Sequence, residues 1–293
     1  MNPVQLKTLT AVVDEGSFEA AAHLLRITQS AVSQRIKALE YSVGRPVVNR
    51  TSPVIPTHIG QALLRHAKAM MLLESELDDE LQRQQHDNSI EIAANAESLA
   101  IWFPEALALA HERTGRSFTV IRDDEGHTAE RLKTSGTIVA AVSAQPHPAQ
   151  GCVATALGAL EYRAVASPAF VQRWNLGTSL AELGDAPVLQ FDEKDTMQNT
   201  FLQRHSLSRR GLQHFLPTST GFASAVAAGL GWALLPTQQI ESFPTDSLLA
   251  LTDEVVRVNL YWHVWHIDAK VLTELTESVR EVARKRLSQI ESA

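Results

Sequence analysis

What this sequence lacks already narrows its class. Cys152 is the single cysteine among 293 residues, which excludes an intrachain disulfide and any metal site built from several cysteines. No apolar run approaches the roughly 20 residues that a membrane-spanning helix needs. The first residues, MNPVQLKTLT, have neither the basic start nor the apolar stretch of a secretory signal. These absences predict a cytoplasmic protein that does not enter a membrane.

The charge of the chain is unevenly distributed. Hydrophobic residues make up 44% and charged residues 20%, the proportions of a folded protein, and the net charge is −7. Residues 1–60 nevertheless carry a net charge of +2, which leaves −9 for the rest. Charges separated by more than a Debye length of about 8–10 Å are largely screened, so the acidic part does not cancel the local field of residues 1–60.

The segment Ser17–Glu40, SFEAAAHLLRITQSAVSQRIKALE, predicts two short helices joined by a tight turn. Thr28 is placed to cap the second helix, and Val32, Ile36 and Leu39 recur on one face of it. The polar residues of that helix therefore face outward, and side chains of these types reach base edges and phosphates in a major groove. The candidate DNA-binding residues on this helix are Gln29, Ser30, Ser33, Gln34, Arg35 and Lys37.

The flanking sequence favours a DNA-binding module over an ordinary amphipathic helix pair. Leu6, Leu9 and Val12 indicate a preceding helix that ends at Gly16, which completes a three-helix core. The segment 44–60, GRPVVNRTSPVIPTHIG, indicates two short extended arms around a Pro-rich turn, which is typical of a wing. Arg45 and Arg50 on these arms are candidate phosphate contacts, and we take Arg50 as the phosphate clamp.

Residues 61–88 predict a linker helix followed by a hinge. Apolar residues recur about every 3.5 positions up to residue 85, which is typical of a helix that pairs with another helix. The alternative is a helix that lies on its own domain. We expect a dimerisation helix, because a head of 60 residues is too small to cover the stripe, which consists of Leu63, Ala67, Met70, Leu73, Leu77 and Leu81.

From Ser89 onward, short strands alternate with helices, which predicts an α/β domain with mostly parallel strands. At about 200 residues this part is large enough for two lobes, with chain crossings near 158–167 and 256–267. In open α/β sheets a ligand binds beyond the carboxyl ends of the strands, near helix starts. The candidate ligand-binding residues at such loops are Asn95, Glu97, Ser98, Trp102, Asp123, Asp124, Glu125, Asp192, Ser219 and Thr220. The alternative for residues 123–125 is a solvated turn that caps the following helix.

Apparent signs of enzyme or metal chemistry fail on inspection. GLGWAL (229–234) lacks the third glycine of a dinucleotide loop, and it lies between a helix and a strand, the reverse of the order that phosphate binding needs. His263 and His266 are three residues apart in a predicted strand, so they point to opposite faces and cannot bind one metal ion together. The sequence therefore predicts no catalytic residues, no metal site and no cofactor.

Taken together, these segments resemble a known family. Residues 3–60, with GSF, QSAVSQRIKALE and the Thr57–Gly60 step, resemble the winged helix of LysR-type transcriptional regulators. Five later segments resemble the LysG/ArgP (IciA) branch of that family: AANAESLAIWFPEAL, DDEGHTAERL, LGALEY, GLGWALLP and LYWH. Members of this branch sense basic amino acids and control, among other genes, a lysine or arginine exporter.

The resemblance implies an α+β multidomain protein: an N-terminal winged helix-turn-helix, a long linker helix, and a C-terminal two-lobed α/β effector domain like that of periplasmic binding proteins. We expect residues 1–60 to bind DNA and residues 61–88 to form the linker and hinge. The effector domain would span 89–293, with lobe I at 89–160 and 267–293 and lobe II at 161–266.

The resemblance also implies the partners: promoter DNA, RNA polymerase, further copies of the chain in a homodimer or homotetramer, and L-lysine or L-arginine as effector. The expected role is activation of a lysine exporter. Thr220 stands where the branch commonly has an acidic residue, which leaves the exact amino acid open. The alternative function is an α/β solute-binding protein or enzyme with an accessory DNA-binding head.

Overall fold

The structure, a computed structural model, describes residues 2–81, 89–122, 132, 137–149, 151–176 and 180–289. Residues 2–81 form a helical head continued by one long helix, and residues 89–289 form a mixed α/β unit. In the described residues, no helix has both the length and the apolar character needed to cross a bilayer.

The head contains three helices, α1 (Pro3–Asp14), α2 (Phe18–Leu25) and α3 (Gln29–Val43). The predicted cap is confirmed, because Thr28 Oγ1 accepts a hydrogen bond from Ala31 N at 3.2 Å. Arg26 ends α2 in the left-handed conformation, which turns the chain sharply toward α3. The buried side of the three helices forms one apolar cluster that includes Leu9, Val32, Ile36 and Leu39.

The predicted wing is present. Strands β1 (Val48–Asn49) and β2 (Ile55–Pro56) pair antiparallel, and the turn between them contains a cis peptide bond before Pro53. Gly60 lies directly against this ribbon, because a Cβ at this position would stand 1.9 Å from the carbonyl oxygen of Val47. Only glycine allows the backbone to approach so closely at the entry to the next helix.

The long helix α4 (His58–Glu80) begins three residues before the expected start at 61, and the rest of the expected linker and hinge, residues 82–88, lies outside the described residues. Leu64 and Ala67 pack into the head cluster, whereas Ala69 and Leu72 pack against the core of the α/β unit. Leu73, Leu77 and Leu81 stay exposed, at 44%, 53% and 51% of their surface. The helix therefore covers part of its apolar surface within its own chain and leaves one leucine stripe uncovered.

The α/β unit contains nine strands, seven α-helices with described bounds and one 3-10 helix (Ala181–Gly184) within the described residues. The strands are β3 (Ile90–Ala94), β4 (Phe118–Arg122), β5 (Ala140–Ser143), β6 (Cys152–Ala166), β7 (Val188–Gln190), β8 (Gln213–Phe215), β9 (Ala233–Pro236), β10 (Leu249–Ala250) and β11 (Val256–Trp265). The helices are α5 (Ala96–Ile101), α6 (Phe103–Thr114), α7 (Pro168–Trp174), α8 (Met197–Arg204), α9 (Ser219–Ala227), α10 (Thr237–Glu241) and α11 (Lys270–Arg286).

The sheet is mixed, so the expectation of mostly parallel strands is wrong. The order of the large sheet is β10-β6-β11-β5-β3-β4, with β9 paired to β6, and the small sheet is β7-β8. Strands β3, β4 and β5 run parallel, but the long strands β6 and β11 pair antiparallel with each other and with their other neighbours. These two strands carry the chain through the regions expected to cross between lobes.

The core of this unit is rich in aromatic side chains. Trp102, Phe103 and Trp262 are fully buried and in contact, with the ring centroids of Trp102 and Phe103 5.5 Å apart. Trp262 Nε1 donates to Thr276 Oγ1 on α11 at 3.0 Å, which satisfies its polar atom inside the core. This contact fixes α11 over the sheet beside α6.

Candidate functional site

The outward face of α3 carries the residues that the sequence singled out. Gln29, Ser30, Gln34 and Lys37 are exposed, while Ser33 and Arg35 are partly exposed. Because Val32, Ile36 and Leu39 are buried on the opposite side, the polar row has a fixed orientation relative to the head. Ser30 Oγ lies 2.9 Å from Thr28 Oγ1, so its hydroxyl is partly engaged at the helix start. The face has the size and chemistry of a helix that enters a major groove.

Arg50 on the wing is exposed and stacks on the ring of Phe18 at the start of α2, with its guanidinium carbon 5.3 Å from the ring centroid. Such a cation–π contact positions a charge without neutralising it. The wing therefore offers a preoriented cation.

A cavity of about 490 Å³ opens in the α/β unit where the loops after β3 and β7 and the last residue of β4 approach the start of α9. Its volume is in the range of small-molecule sites. Apolar side chains line part of it, among them Phe201, Phe222, Leu234 and Val256. The remaining walls carry charged and polar groups, so the cavity combines a surface for a hydrocarbon chain with partners for ionic ends.

The charged groups of the cavity have both signs. Its cations are Arg122, Lys194, Arg204 and Arg257, and its carboxylates are Glu97, Asp192 and Asp195. Arg257 Nε lies 3.1 Å from Glu161 Oε1, so part of this positive charge is already paired. A zwitterionic ligand needs cationic partners for its carboxylate and anionic partners for its ammonium groups, and this lining supplies both.

The two aspartates of the β7–α8 loop also accept hydrogen bonds from the backbone of that loop. Asp195 accepts from the backbone of Phe191 and of Met197, each at 3.0 Å, and so uses both carboxylate oxygens. Asp192 Oδ1 accepts from the backbone amides of Lys194 and Asp195, at 2.8 and 3.0 Å. Asp195 thus holds the loop against the start of α8, and Asp192 turns it.

The ligand-binding residues predicted from the sequence fall into three groups. Glu97, Asp192 and Ser219 line the cavity. Asn95, Ser98 and Trp102 are at most 1% exposed and do not line it, and Thr220 is exposed on α9 outside the lining. Asp123, Asp124 and Glu125 lie outside the described residues, directly after the lining residue Arg122.

Several lining residues escaped the sequence analysis, chiefly Arg122, Tyr162, Asp195, Gln198, Arg204 and Arg257. Of these, Asp195 could have been found from the sequence. It stands two residues before the helical pattern of α8, and an aspartate at such a position is typical of a cap. Tyr162 and Arg257 could not be found in this way, because they reach the cavity through the antiparallel pairing of β6 and β11.

The described residues contain no cluster of three or more histidine, cysteine or carboxylate groups able to hold a metal ion. His263 is buried and places Nε2 2.8 Å from the carbonyl oxygen of Gln145, while burial lowers its pKa. Cys152 lies apart from the cavity, and burial raises the pKa of its thiol to about 11, which disfavours the reactive thiolate.

Two family profiles match this chain. The profile described as "Bacterial regulatory helix-turn-helix protein, lysR family" matches residues 3–61. The profile described as "LysR substrate binding domain" matches residues 83–288. Between them they cover nearly the whole chain.

Relatives and solved structures of full length agree with these profiles. The lysine export transcriptional regulatory protein LysG of Corynebacterium efficiens is 36% identical over 98% of this chain and 99% of its own. The HTH-type transcriptional regulator ArgP of Pseudomonas aeruginosa is 37% identical over 93% of this chain and 92% of its own.

Among solved structures, ArgP from Mycobacterium tuberculosis is similar with a TM-score of 0.87 and 36% identity, over 98% of both chains. Full-length LysG from Corynebacterium glutamicum with bound effector arginine is similar with a TM-score of 0.81 and 34% identity. That similarity covers 98% of this chain and 100% of the LysG chain.

Proposed function

This chain belongs to the LysR family of bacterial helix-turn-helix regulators, and we propose that it senses a basic amino acid, L-lysine first and L-arginine second. The observation that carries the proposal is the cavity in the α/β unit, where Glu97, Asp192 and Ser219 meet cations such as Arg122 and Arg204. The similar LysG of Corynebacterium glutamicum has arginine as its bound effector.

The chemistry of the cavity supports an amino acid with a long side chain. Its apolar walls suit a row of methylene groups, which lysine and arginine both have. Arg122 or Arg204 is the proposed partner of the α-carboxylate, and Glu97 that of an ammonium group. Ser219, at the start of α9, offers a hydroxyl close to free backbone amides. Asp123, Asp124 and Glu125 are proposed as further acidic partners on the strength of the family resemblance.

For DNA we propose that Ser33, Gln34 and Arg35 contact base edges, with Gln29, Ser30 and Lys37 beside them. Arg50 is the proposed phosphate clamp. The exposed row on α3 and the cation held over Phe18 support this division of roles.

We further propose a division into a head (1–60), a linker with hinge (61–88) and an effector domain (89–293), whose lobes are 89–160 with 267–293, and 161–266. Two or four copies would assemble through α4, whose exposed leucines support this role. Effector binding would change how the lobes pack and so alter the spacing of paired heads, and hence the contact with RNA polymerase. A ligand shifts such a balance only by its difference in affinity for the two states.

The proposed target is a gene for amino-acid export, with the regulator as activator, because the relative from Corynebacterium efficiens is named for lysine export. We propose that the protein acts in the cytoplasm by binding alone, without catalysis. The relatives support this, since they are named as transcriptional regulators.

Calorimetric titration of the full chain tests the effector. We expect L-lysine and L-arginine to bind, and Glu97→Gln to weaken both by roughly tenfold, because a charge-assisted contact contributes about 1.5–3 kcal/mol. Glu105→Gln is the matched control, since Glu105 pairs with Arg286 on the surface outside the cavity. Binding of a neutral or acidic amino acid, with none of lysine, arginine or histidine, would overturn the proposed effector.

A further inference from the structure

Gln198 is a polar side chain in the cavity wall with an unused acceptor. It is the second residue of α8, it is only 2% exposed, and it lines the cavity. Its amide oxygen Oε1 accepts no hydrogen bond from the described residues. A buried acceptor without a donor is unfavourable, so an occupant that brings a donor to this oxygen gains affinity there.

The backbone around Gln198 is held firmly in place. Asp195 accepts from Phe191 N and Met197 N on either side of the loop, which fixes the first turn of α8. The side-chain amide of Gln190, at the end of β7, donates to the carbonyl oxygen of Asp195 and so fastens the loop to the sheet. Thr200 N donates to Thr196 O at 2.8 Å and continues the helix. The backbone at Gln198 is thus preorganised at the cavity wall, and its amide oxygen, which has almost no accessible surface, meets an occupant once the side-chain amide turns toward the cavity.

Because the Gln198 side chain is a neutral amide, only some groups of a bound amino acid suit it as partners. The α-ammonium and α-carboxylate carry full charges and occur in every amino acid, so Glu97 and Arg122 suit them better than a neutral amide. A neutral acceptor that is almost fully buried makes contact only with a group that extends into the wall. The terminal nitrogen of a long side chain is such a group. Lysine offers three N–H donors there and arginine five, with no acceptor on either.

We propose that Gln198 is a specificity-determining residue whose amide oxygen accepts a hydrogen bond from the terminal side-chain nitrogen of the effector. The inference rests on the proposed function and deepens it. It names the protein group that distinguishes lysine and arginine from amino acids of equal length that lack a terminal donor. A site built to accept a hydrogen bond rejects a ligand that lacks the donor, because its own polar group is then left unpaired.

The test is a calorimetric titration of the full chain with L-lysine, L-arginine and L-norleucine, which has lysine's carbon chain without its terminal nitrogen. In the unmodified chain we expect lysine to bind at least tenfold more tightly than norleucine. Gln198→Leu should weaken the binding of lysine and of arginine by about tenfold and change the affinity for norleucine by no more than about twofold. The preference for lysine over norleucine should therefore largely disappear. Gln198→Glu keeps an acceptor at the same place and should retain or tighten the binding of lysine.

Gln203→Leu is the matched control, because it makes the same substitution at an exposed position of α8. It should leave the affinities for all three ligands unchanged. If Gln198→Leu weakens lysine and norleucine equally, the side chain contacts the α-groups or only supports the fold, and the inference is overturned. An unchanged preference in Gln198→Leu, or loss of lysine binding in a folded Gln198→Glu, overturns it as well. Failure of the unmodified chain to bind any basic amino acid overturns the proposed function itself.

Discussion

Arg35 and Arg50 carry the same charge but stand in different surroundings. Arg35 is partly exposed on α3 beside Gln34, in a row where side chains can reach base edges. Arg50 lies over the ring of Phe18 on the wing, and a cation held there suits a phosphate contact, which carries no sequence information. The first arginine is therefore expected to read sequence and the second to hold the backbone.

Two alanine variants separate these roles. Arg35→Ala should cost about 1–3 kcal/mol on the specific site and relax preference at one base pair. Arg50→Ala should weaken binding to all sequences alike and lower the slope of log affinity against log salt by about one. Gel-shift titrations at several salt concentrations measure both effects. The roles assigned to the two arginines are wrong if Arg35→Ala leaves specific binding unchanged or Arg50→Ala changes base preference.

At the scale of the element, α4 has three different surfaces. Near its start Leu64 and Ala67 are buried in the head, and one turn later Leu72 packs against the α/β core. Leu73 and Leu77 face away from both and remain exposed. Apolar residues at a spacing of four along an otherwise polar face are typical of a helix that meets another helix.

Charge placed on that stripe tests its role in assembly. Leu73→Glu with Leu77→Glu should abolish the oligomer and with it most of the affinity for a two-site operator, because an unpaired charge is costly in an apolar interface. Analytical ultracentrifugation reads the assembly directly. His66→Glu, also exposed on α4, is the control and should stay oligomeric. A double variant that still assembles would move the interface to another surface.

The sequence predicted the individual helices and strands better than it predicted which strands pair with each other. Periodicity and caps located α2, α3 and the wing, because these depend on neighbouring residues. The antiparallel pairing of β6 with β11 depends on residues about 100 positions apart, which no local pattern encodes. Glu97, Asp192 and Ser219 were found because they follow strands or begin a helix. Tyr162 and Arg257 were missed because their place in the cavity follows from that distant pairing.

At the scale of the whole molecule, Lys68 on α4 joins the head to the α/β unit. Its ammonium lies 3.0 Å from Asp14 at the end of α1 and 3.4 Å from Glu91 in β3, with the side chain 20% exposed. Burial raises the pKa of Asp14, and the charge of Lys68 and its hydrogen bond offset part of that rise. Glu76 strengthens the same junction, since its carboxylate accepts from Val271 N at the start of α11 at 2.8 Å.

Removing this link should uncouple sensing from DNA binding. Lys68→Met leaves Asp14 and Glu91 without their shared cation, so we expect the head to respond less to effector while each part keeps its own affinity. The measurement is the change in operator affinity on adding L-lysine, compared between the two proteins. Lys7→Met is the control, because its ion pair with Glu74 lies on the exposed side of the head. An undiminished response in Lys68→Met would show that the signal travels by another route.

This LysR-family chain is proposed to switch transcription in response to a basic amino acid. The most direct measurement is transcription in vitro with RNA polymerase, the purified chain and the intergenic DNA beside its own gene, with and without L-lysine. We expect L-lysine or L-arginine to raise the transcript of the neighbouring gene and L-norleucine at the same concentration to leave it unchanged. An unchanged transcript, with DNA bound and the cavity saturated by lysine, would contradict this proposal.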